Sequence, residues 1–514
     1  MPPWDHQTYS VREVLRALET YQAVTLAVPT GGGKSLCFMA MINLADSFGL
    51  KVSVYTNRTL LTKQTAKGLA KSGIEFGVRA ASMPKQSNYG EAIQICGMQT
   101  EISRCLNGDS RLHDADLVII DEAHMMATAG SLKVIQHHLA AGAKVVLVTA
   151  TPVGLSHIAA KLVVGAKNSE LRKCGAHVMA HVKSIHEMDL TRVTRVREPN
   201  GDEGFDVNSI RENAWSQAIV GHILTDWKRF NPHGRMTMGV APGVPESRAL
   251  AAYFDAQGVK SAHIDAKEVW VDGKFTTDNA RGERRDEVIA RWRSGEIKVM
   301  WTCQVLREGV DIPELYHLIL AAPIGNLKDL IQVCGRVIRK SPETPDHVII
   351  QCHAGNFFRH GVSPNSDIDW EELYGMTQVE ISEHQQKKKQ EQEDEGDLVA
   401  PCPNCGSLVK SGRMCPPPPM GCGESIDKTN PRKLRFVVQK EGALVAMEDN
   451  AFQSKRKVST ASQEQKNWDK LFYASNNSRS ERASNFNQLK ARYKNIYKKY
   501  PPENLNNMPK DKSD

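Results

Sequence analysis

Residues 27–36 read AVPTGGGKSL, three consecutive glycines followed by a lysine and a serine. The flanking residues decide what such a run can be. Ala23–Val28 (AVTLAV) is apolar and rich in Cβ-branched residues, which predicts a short strand. Residues 35–48 (SLCFMAMINLADSF) have helix-forming composition, with apolar positions three and four apart. The glycines therefore occupy a strand-to-helix junction. There the backbone can curl its N–H groups inward and the helix N-terminus adds partial positive charge, so the junction suits a phosphate. Thr30, Gly31, Gly32 and Gly33 would form the cradle and Lys34 would reach the β- and γ-phosphates. The Ser35 hydroxyl would complete the coordination of a magnesium ion. Val28 stands where the strict pattern has glycine, so an ordinary loop is the competing reading of this stretch alone.

The rest of the chain repeats the same grammar. LKVSVYTN (50–57), AIQICGMQT (92–100), ADLVIIDEAH (115–124) and AKVVLVTATP (143–152) are compact apolar runs ending in polar residues, with helical stretches between. Such alternation predicts right-handed crossovers and a parallel sheet covered on both faces, with chemistry gathered beyond the carboxyl ends of the strands. A second series occupies 234–242, 259–265, 297–305, 315–323 and 347–355. The 514 residues leave room for several domains. The expected division is a first α/β domain over 1–155, a connector over 156–214, a second α/β domain over 215–360 and a charged linker over 361–400, with a cysteine module over 401–424 and a basic tail over 425–514.

The net charge of +7 is unevenly placed. From Lys428 onward there are 19 Lys/Arg against 9 Asp/Glu, leaving 47 against 50 in the remainder. A near-neutral body with a basic tail points to an anionic polymer as partner; a solubilising tail is the plainer alternative. No apolar run reaches the length of a membrane span, and the first residues lack the layout of a secretory signal. With cysteines scattered through predicted strands and helices, a reducing cytoplasm is the expected setting.

Three further clusters carry chemistry. LVIIDEAH ends a buried strand with adjacent carboxylates: Asp121 can hold magnesium through water, and Glu122 can orient and deprotonate the water attacking a γ-phosphate. VTATP (148–152) ends another strand with hydroxyl residues, Thr149 and Thr151, that could link phosphate state to domain movement. In QVCGRVIRK (332–340), Arg336 and Arg339 are three apart in a helical stretch, so both should project from one face. Facing a triphosphate they would act as arginine fingers; facing water they would be a solvated basic surface. Gly309 and Asp311 of WTCQVLREGVDIP come after a strand, where a turn and a carboxylate could meet a ribose or the opposite domain.

PTGGGKS, DEAH, TATP, REGVDIP and QVCGRVIR occur in the order and approximate spacing of superfamily 2 helicases, which this chain resembles over about residues 1–360. The resemblance implies two RecA-like domains clamping ATP between them, with nucleic acid running across both. QVCGRVIRKSPETPDHVIIQCHAG followed by a cysteine cluster looks most like the RadD-like branch of bacterial and phage DNA-repair helicases. By the same resemblance, Gln7 would read adenine and Arg58, Thr59, Gln99, Thr100 and Thr302 would contact the nucleic-acid backbone. His124 aligns the second motif with the DEAH and DExH enzymes, and His124, Thr149, Thr151 and Gln332 would couple nucleotide to motion.

CPNCGSLVKSGRMCPPPPMGCG (402–423) carries Cys402 and Cys405 with the spacing of a structural zinc knuckle. Cys415 and Cys422 would supply the other half, although four prolines part them; a proline-rich segment with free thiols is the alternative. The tail interleaves basic runs with Trp468, Phe472, Tyr493 and Tyr497, which suits either a nucleic-acid grip or a small helical domain with an aromatic core. The expected whole is an α/β chain of two tandem RecA-like parallel-sheet domains, a zinc-ribbon-like module and a basic, helical tail. Its expected activity is that of an ATP- and magnesium-dependent motor on DNA, single-stranded or branched, in repair, recombination or replication. RNA stays open as a substrate. A translocase or branched-DNA remodeller that never separates strands, and an accessory protein with an inactive core, are the rival readings. No nuclease constellation is evident.

Overall fold

Alternate residues of each central strand feed opposite apolar clusters, the signature of a sheet buried on both faces. In the first sheet, Val24 and Leu26, Ile119, and Val146 and Val148 pack with helices Asp5–Thr20 and Lys34–Ser47. Their neighbours Ala23, Val118, Ile120, Val145 and Leu147 pack on the other face with helix Ala129–Ala140.

The computed structural model describes residues 4–424, 436–438 and 444–446, except 58, 82, 84–87, 109–110, 127, 185–187, 198–202, 216, 266–267, 278–282, 304–311, 313, 341–343, 345, 378–379, 382, 385–386, 388–398, 403–404, 406, 411–413 and 419–420. The chain forms two units, Met1–Leu434 with Val438–Leu444 and Arg435–Val437 with Val445–Asp514. Only a few strand residues of the second unit are described; the first unit carries both large sheets. Trp468, Phe472, Tyr493 and Tyr497 of the basic tail lie outside the described residues.

The first sheet contains β1 (Ala23–Ala27), β2 (Val52–Thr56), β3 (Gly77–Arg79), β4 (Ile93–Gly97), β5 (Leu117–Asp121), β6 (Lys144–Thr149) and β7 (Lys161–Val164). Its order is β3-β4-β2-β5-β6-β1-β7 and each neighbouring pair is parallel. The carboxyl ends of β5, β6 and β1 therefore lie side by side, which brings together the residues after Asp121, Thr149 and Ala27.

The second sheet draws on β8 (Met179–Ser184) and, after a small ribbon of β9 (Arg195–Arg197) and β10 (Glu203–Phe205), on β11 (Thr237–Val240), β12 (Ser261–Ile264), β13 (Glu268–Val271), β14 (Lys274–Thr277), β15 (Val299–Thr302), β16 (His317–Leu320) and β17 (His347–Cys352). Its order is β14-β13-β12-β15-β11-β16-β17-β8, parallel except for the antiparallel β12-β13-β14 margin. Met238, Val240 and Met300 face one cluster, and Val299, Trp301 and Ile319 face the other. Among the described residues, no helix is long and apolar enough to cross a membrane.

Two expectations give way. Residues 156–214, read as a connector, supply β7 to the edge of the first sheet and β8 to the edge of the second. Backbone N–H and C=O groups at the sheet edges find their partners in these strands, so the segment is built into both sheets. Residues 361–400, read as a charged linker, begin with a clasp. Trp370, Leu373 and Ile381 are buried with Ala27, Val153 and Leu327, so apolar contacts reach across both α/β halves. The buried Tyr374 hydroxyl meets Thr25 Oγ1 at 2.7 Å and Ala159 O at 2.5 Å. Only the later part of that segment carries the charge run, and most of it lies outside the described residues.

Gly239 in β11 lies under the Trp301 indole, and a Cβ there would stand 2.3 Å from Cε3. Gly239→Ala should therefore force the indole off its seat and destabilise the second half by about 1–3 kcal/mol, measurable as a lowered urea midpoint.

Candidate nucleotide cleft and cysteine centre

After β1 the chain turns through Pro29–Gly33 into helix Lys34–Ser47, with Gly33 as its N-cap at φ 85°. Gly31 sits at φ 90°, a left-handed conformation that L side chains resist. Val28, the departure from the strict motif, is fully buried in the first core, and its N–H donates to Thr149 O at 3.0 Å. The valine thus extends the strand without altering the glycine turn.

Asp121 closes β5 and is buried, and Glu122 comes next in left-handed backbone (φ 49°, ψ 49°), a strained position for a non-glycine residue. Its N–H donates to Asp121 Oδ1 at 3.0 Å. Glu122 Oε1 lies 3.6 Å from Lys34 Nζ and Oε2 lies 3.6 Å from His124 Nδ1. Burial alone would raise Glu122, but the positive charges of Lys34, Arg336 and Arg339 outweigh it and hold the carboxylate below its ordinary value. Burial, helped by the charge on Glu122, pushes Asp121 up to about 7. A cleft of about 520 Å³ opens between the halves, lined by Lys34, Ser35, Asp121, Glu122, Arg336 and Arg339 among others. That volume is of the size that small-molecule sites occupy. The two arginines do not share a helix face, however. Arg336 lies in the last turn of helix Leu327–Val337, whereas Arg339 lies beyond its end, in an isolated antiparallel bridge with His177.

A buried polar chain crosses from one half to the other. Gln332 Nε2 donates to His124 Nε2 at 2.7 Å and lies 3.5 Å from Thr151 Oγ1. Since that ring nitrogen accepts, Nδ1 carries the hydrogen and donates to Thr149 Oγ1 at 2.9 Å. Thr149 in turn donates to Thr151 O at 3.3 Å and accepts from the Thr151 N–H at 3.0 Å. Burial brings His124 down to about 4, so the ring is neutral, as this pattern requires.

The remaining expected residues fall in several places. Gln7 is buried against the glycine turn, accepting from Trp4 N at 3.1 Å and donating to Gly32 O at 3.4 Å. Its amide is thus engaged by backbone. Gln99 and Thr100 lie in a helical turn after β4 rather than in the strand, Gln99 exposed and Thr100 Oγ1 accepting from Ala81 N at 3.1 Å. Thr302, expected at a backbone contact, is buried at the end of β15. Thr59 begins helix Thr59–Lys71; Arg58, Gly309 and Asp311 lie outside the described residues. Sequence reasoning misses three neighbours. Trp4 lines the cleft, His6 Nε2 meets Gly32 O at 2.8 Å, and His177 Nε2 meets Thr30 O at 2.8 Å. The WDHQ tetrapeptide signals the first two; a lone histidine far along the chain signals nothing.

Cys402, Cys405, Cys415 and Cys422 converge, with all four Sγ atoms within 4.8 Å of one another. The Cys402–Cys422 and Cys405–Cys415 sulfurs are 3.5 and 3.6 Å apart. Tetrahedral Zn–S bonds of about 2.3 Å imply sulfurs about 3.8 Å apart, so this donor set fits zinc. β18 (Val399–Pro401) and β19 (Leu408–Lys410) form a ribbon beside it. Ser407 bridges Lys183 of β8 through backbone, and its hydroxyl accepts from Lys183 Nζ, docking the centre on the second sheet.

Residues 5–157 match the family model for DEAD/DEAH box helicases, and 251–341 match the helicase conserved C-terminal domain. The chain thus carries a DEAD/DEAH box helicase domain followed by a helicase conserved C-terminal domain. It is 24% identical over 394 residues to a 51.5 kDa protein of Lactococcus phage (isolate 7-9), covering 75% of each chain. It is 22% identical over 348 residues to the Saccharomyces cerevisiae protein named "Putative ATP-dependent helicase IRC3", covering 65% of this chain but 48% of the yeast one. Among solved structures, the ATP-dependent Type ISP restriction-modification enzyme LlaBIII bound to DNA superposes with a TM-score of 0.50 at 15% identity. That match covers 68% of this chain and 27% of the enzyme. The chain thus shares the fold of one part of a much larger protein.

The purified chain should carry one zinc per molecule, and Cys405→Ser should lose it, as read by metal analysis. Burial holds His124 and His177 near 4. An unfolded histidine titrates near ~6.5, so below that pH the unfolded chain takes up protons that the folded chain refuses. Stability should accordingly be intact above that value and fall as pH drops toward 4, seen as a lower urea midpoint at pH 5 than at pH 7.5.

Proposed function

We propose that this chain is an ATP-driven motor on nucleic acid, most suited to DNA. The observation that carries this reading is the composite cleft. Lys34 and Glu122 from the first half meet Arg336 and Arg339 from the second around one space. The cleft fits a nucleoside triphosphate with magnesium on two counts. A Cβ on Gly31 would press on Arg339 and His177, so glycine at that position lets a cationic side chain lie directly against the turn. Glu122 Oε2 has no hydrogen-bond partner among the described residues, and Asp121 beside it is a carboxyl whose ionisation is opposed by burial and by the charge on Glu122.

In this reading Lys34 and the glycine turn hold the β- and γ-phosphates, while Ser35 and Asp121 hold magnesium, which supplies charge neutralisation on the phosphate oxygens. Glu122, kept ionised by the surrounding cations, orients a water and takes its proton as the water oxygen bonds to the γ-phosphorus and the bridging oxygen leaves. Arg336 and Arg339 stabilise the charge spread over the departing phosphoryl group. Loss of that group weakens the grip between halves, and the His124–Thr149–Thr151–Gln332 chain passes the change across.

Support for DNA comes from the basic tail and from the DNA-bound likeness of the restriction enzyme. Backbone contacts of this kind would be blind to base sequence and weakened by salt. A role in repair or recombination, within the RadD-like branch, extends the same reading through the cysteine centre that comes after the second domain.

Lys34→Ala should abolish ATP hydrolysis while leaving the fold and most nucleic-acid affinity in place, read by phosphate release beside DNA binding. Full hydrolysis in that variant would refute the assigned cleft. Turnover measured with single-stranded, duplex and branched DNA and with RNA should be highest with DNA.

A further inference from the structure

His177 lies where the chain leaves the first sheet for the second, just ahead of β8, and it is buried. Its Nε2 stands 2.8 Å from Thr30 O, so that nitrogen carries the hydrogen and donates to the glycine turn. Its backbone is paired with the segment that carries Arg339. His177 and Arg339 form an antiparallel bridge, Val178 N–H donates to Ile338 O at 2.9 Å, and Lys340 N–H donates to Ala176 O at 3.0 Å. Both side chains also meet one glycine, because a Cβ on Gly31 would stand 2.9 Å from Arg339 Cγ and 3.0 Å from His177 Nε2.

We infer that His177 is a positioning residue that ties the Thr30 carbonyl to the segment bearing Arg339, so that the arginine is aimed into the cleft only while the glycine turn holds its shape. The inference rests on the ATPase reading of the cleft. Arg339 lies past the end of its helix, so its backbone direction is set by the bridge to 176–178 rather than by helical hydrogen bonds. The bridging segment is itself anchored. Leu171 O accepts from the Ala176 and His177 N–H groups at 2.8 and 3.1 Å, and Ser169 bonds Asp367 through backbone at 2.9 Å and hydroxyl at 2.6 Å. Burial keeps the imidazole uncharged at neutral pH, so it adds a donor without adding a cation to a cleft already holding Lys34, Arg336 and Arg339.

The test uses the full chain with ATP and single-stranded DNA. His177→Phe keeps the ring and removes the donor, whereas His177→Gln keeps a donor at similar reach. Because small misplacements at a reacting centre are costly, kcat should fall roughly tenfold or more in His177→Phe, with KM for ATP within about threefold, and His177→Gln should recover most of the loss. In an Arg339→Ala background, His177→Phe should cost less than about twofold more, since two residues acting as one unit do not add. Should the phenylalanine variant fail to fold, His177→Asn, too short to reach Thr30, takes its place. Losses that multiply in the double variant, a change in KM alone, or equal defects in His177→Phe and His177→Gln would overturn the proposal. A parent chain without turnover sensitive to Lys34→Ala would remove the ATPase reading, and this one with it. A parent chain that turns over normally and ignores His177→Phe removes this one alone.

Discussion

Gly335, in the helix Leu327–Val337, lies so close to the glycine turn that a Cβ would come within 2.6 Å of Thr30 Cβ. That close approach lets the second half lie down on the first. Everything placed in the cleft depends on it: Arg336 is next to Gly335 in the chain, Gln332 reaches His124 from the same helix, and Arg339 stands just past its end. A side chain at 335 would hold the two halves apart and separate the cations of one from the carboxylates of the other.

The seam between the halves is built in two grades. Beneath it, Ala27, Val153, Leu327, Trp370 and Leu373 exclude water over an apolar patch, which is non-directional and tolerates small rotations. Above it run a few buried polar bonds whose partners must be met together, because an unpaired buried group costs about 1–3 kcal/mol. The Gln332–His124–Thr149–Thr151 chain is therefore close to all-or-none. Combining a permissive apolar base with an exacting polar contact suits two halves that shut and reopen rather than fuse. Glu122 adds stored strain at the same place, in backbone that leaves its carboxylate facing Lys34.

How far the chain can be read in advance varies with the physics of each part. The parallel strands are legible because strands buried on both faces are continuous apolar runs, and their polar ends mark the cleft. The margin β13–β14 escapes notice although Asp272–Gly273, both at positive φ, is the dipeptide that a tight hairpin turn favours. Trp370, Leu373 and Tyr374 are obscured because a charge run just beyond them dominates that segment's composition. Arg336 and Arg339 do line the cleft, but spacing alone does not show that the helix ends between them. Cys415 and Cys422 are too far apart in sequence for a standard knuckle, yet their sulfurs converge with those of Cys402 and Cys405.

Local chemistry along the chain is enough to pick out groups of a kind suited to bind a phosphate, hold a cation and carry positive charge to it. It also fixes the place of two of them at strand ends, since a glycine turn and a strand-terminal Asp-Glu pair are determined by neighbours only a few residues away. Which groups face one another is decided by packing between distant segments. Thr30 with His177, His124 with Gln332 and Lys183 with Ser407 are 147, 208 and 224 residues apart. Contacts of that separation leave no periodicity behind, because the burial and hydrogen bonding that reward them arise only once both sheets are formed.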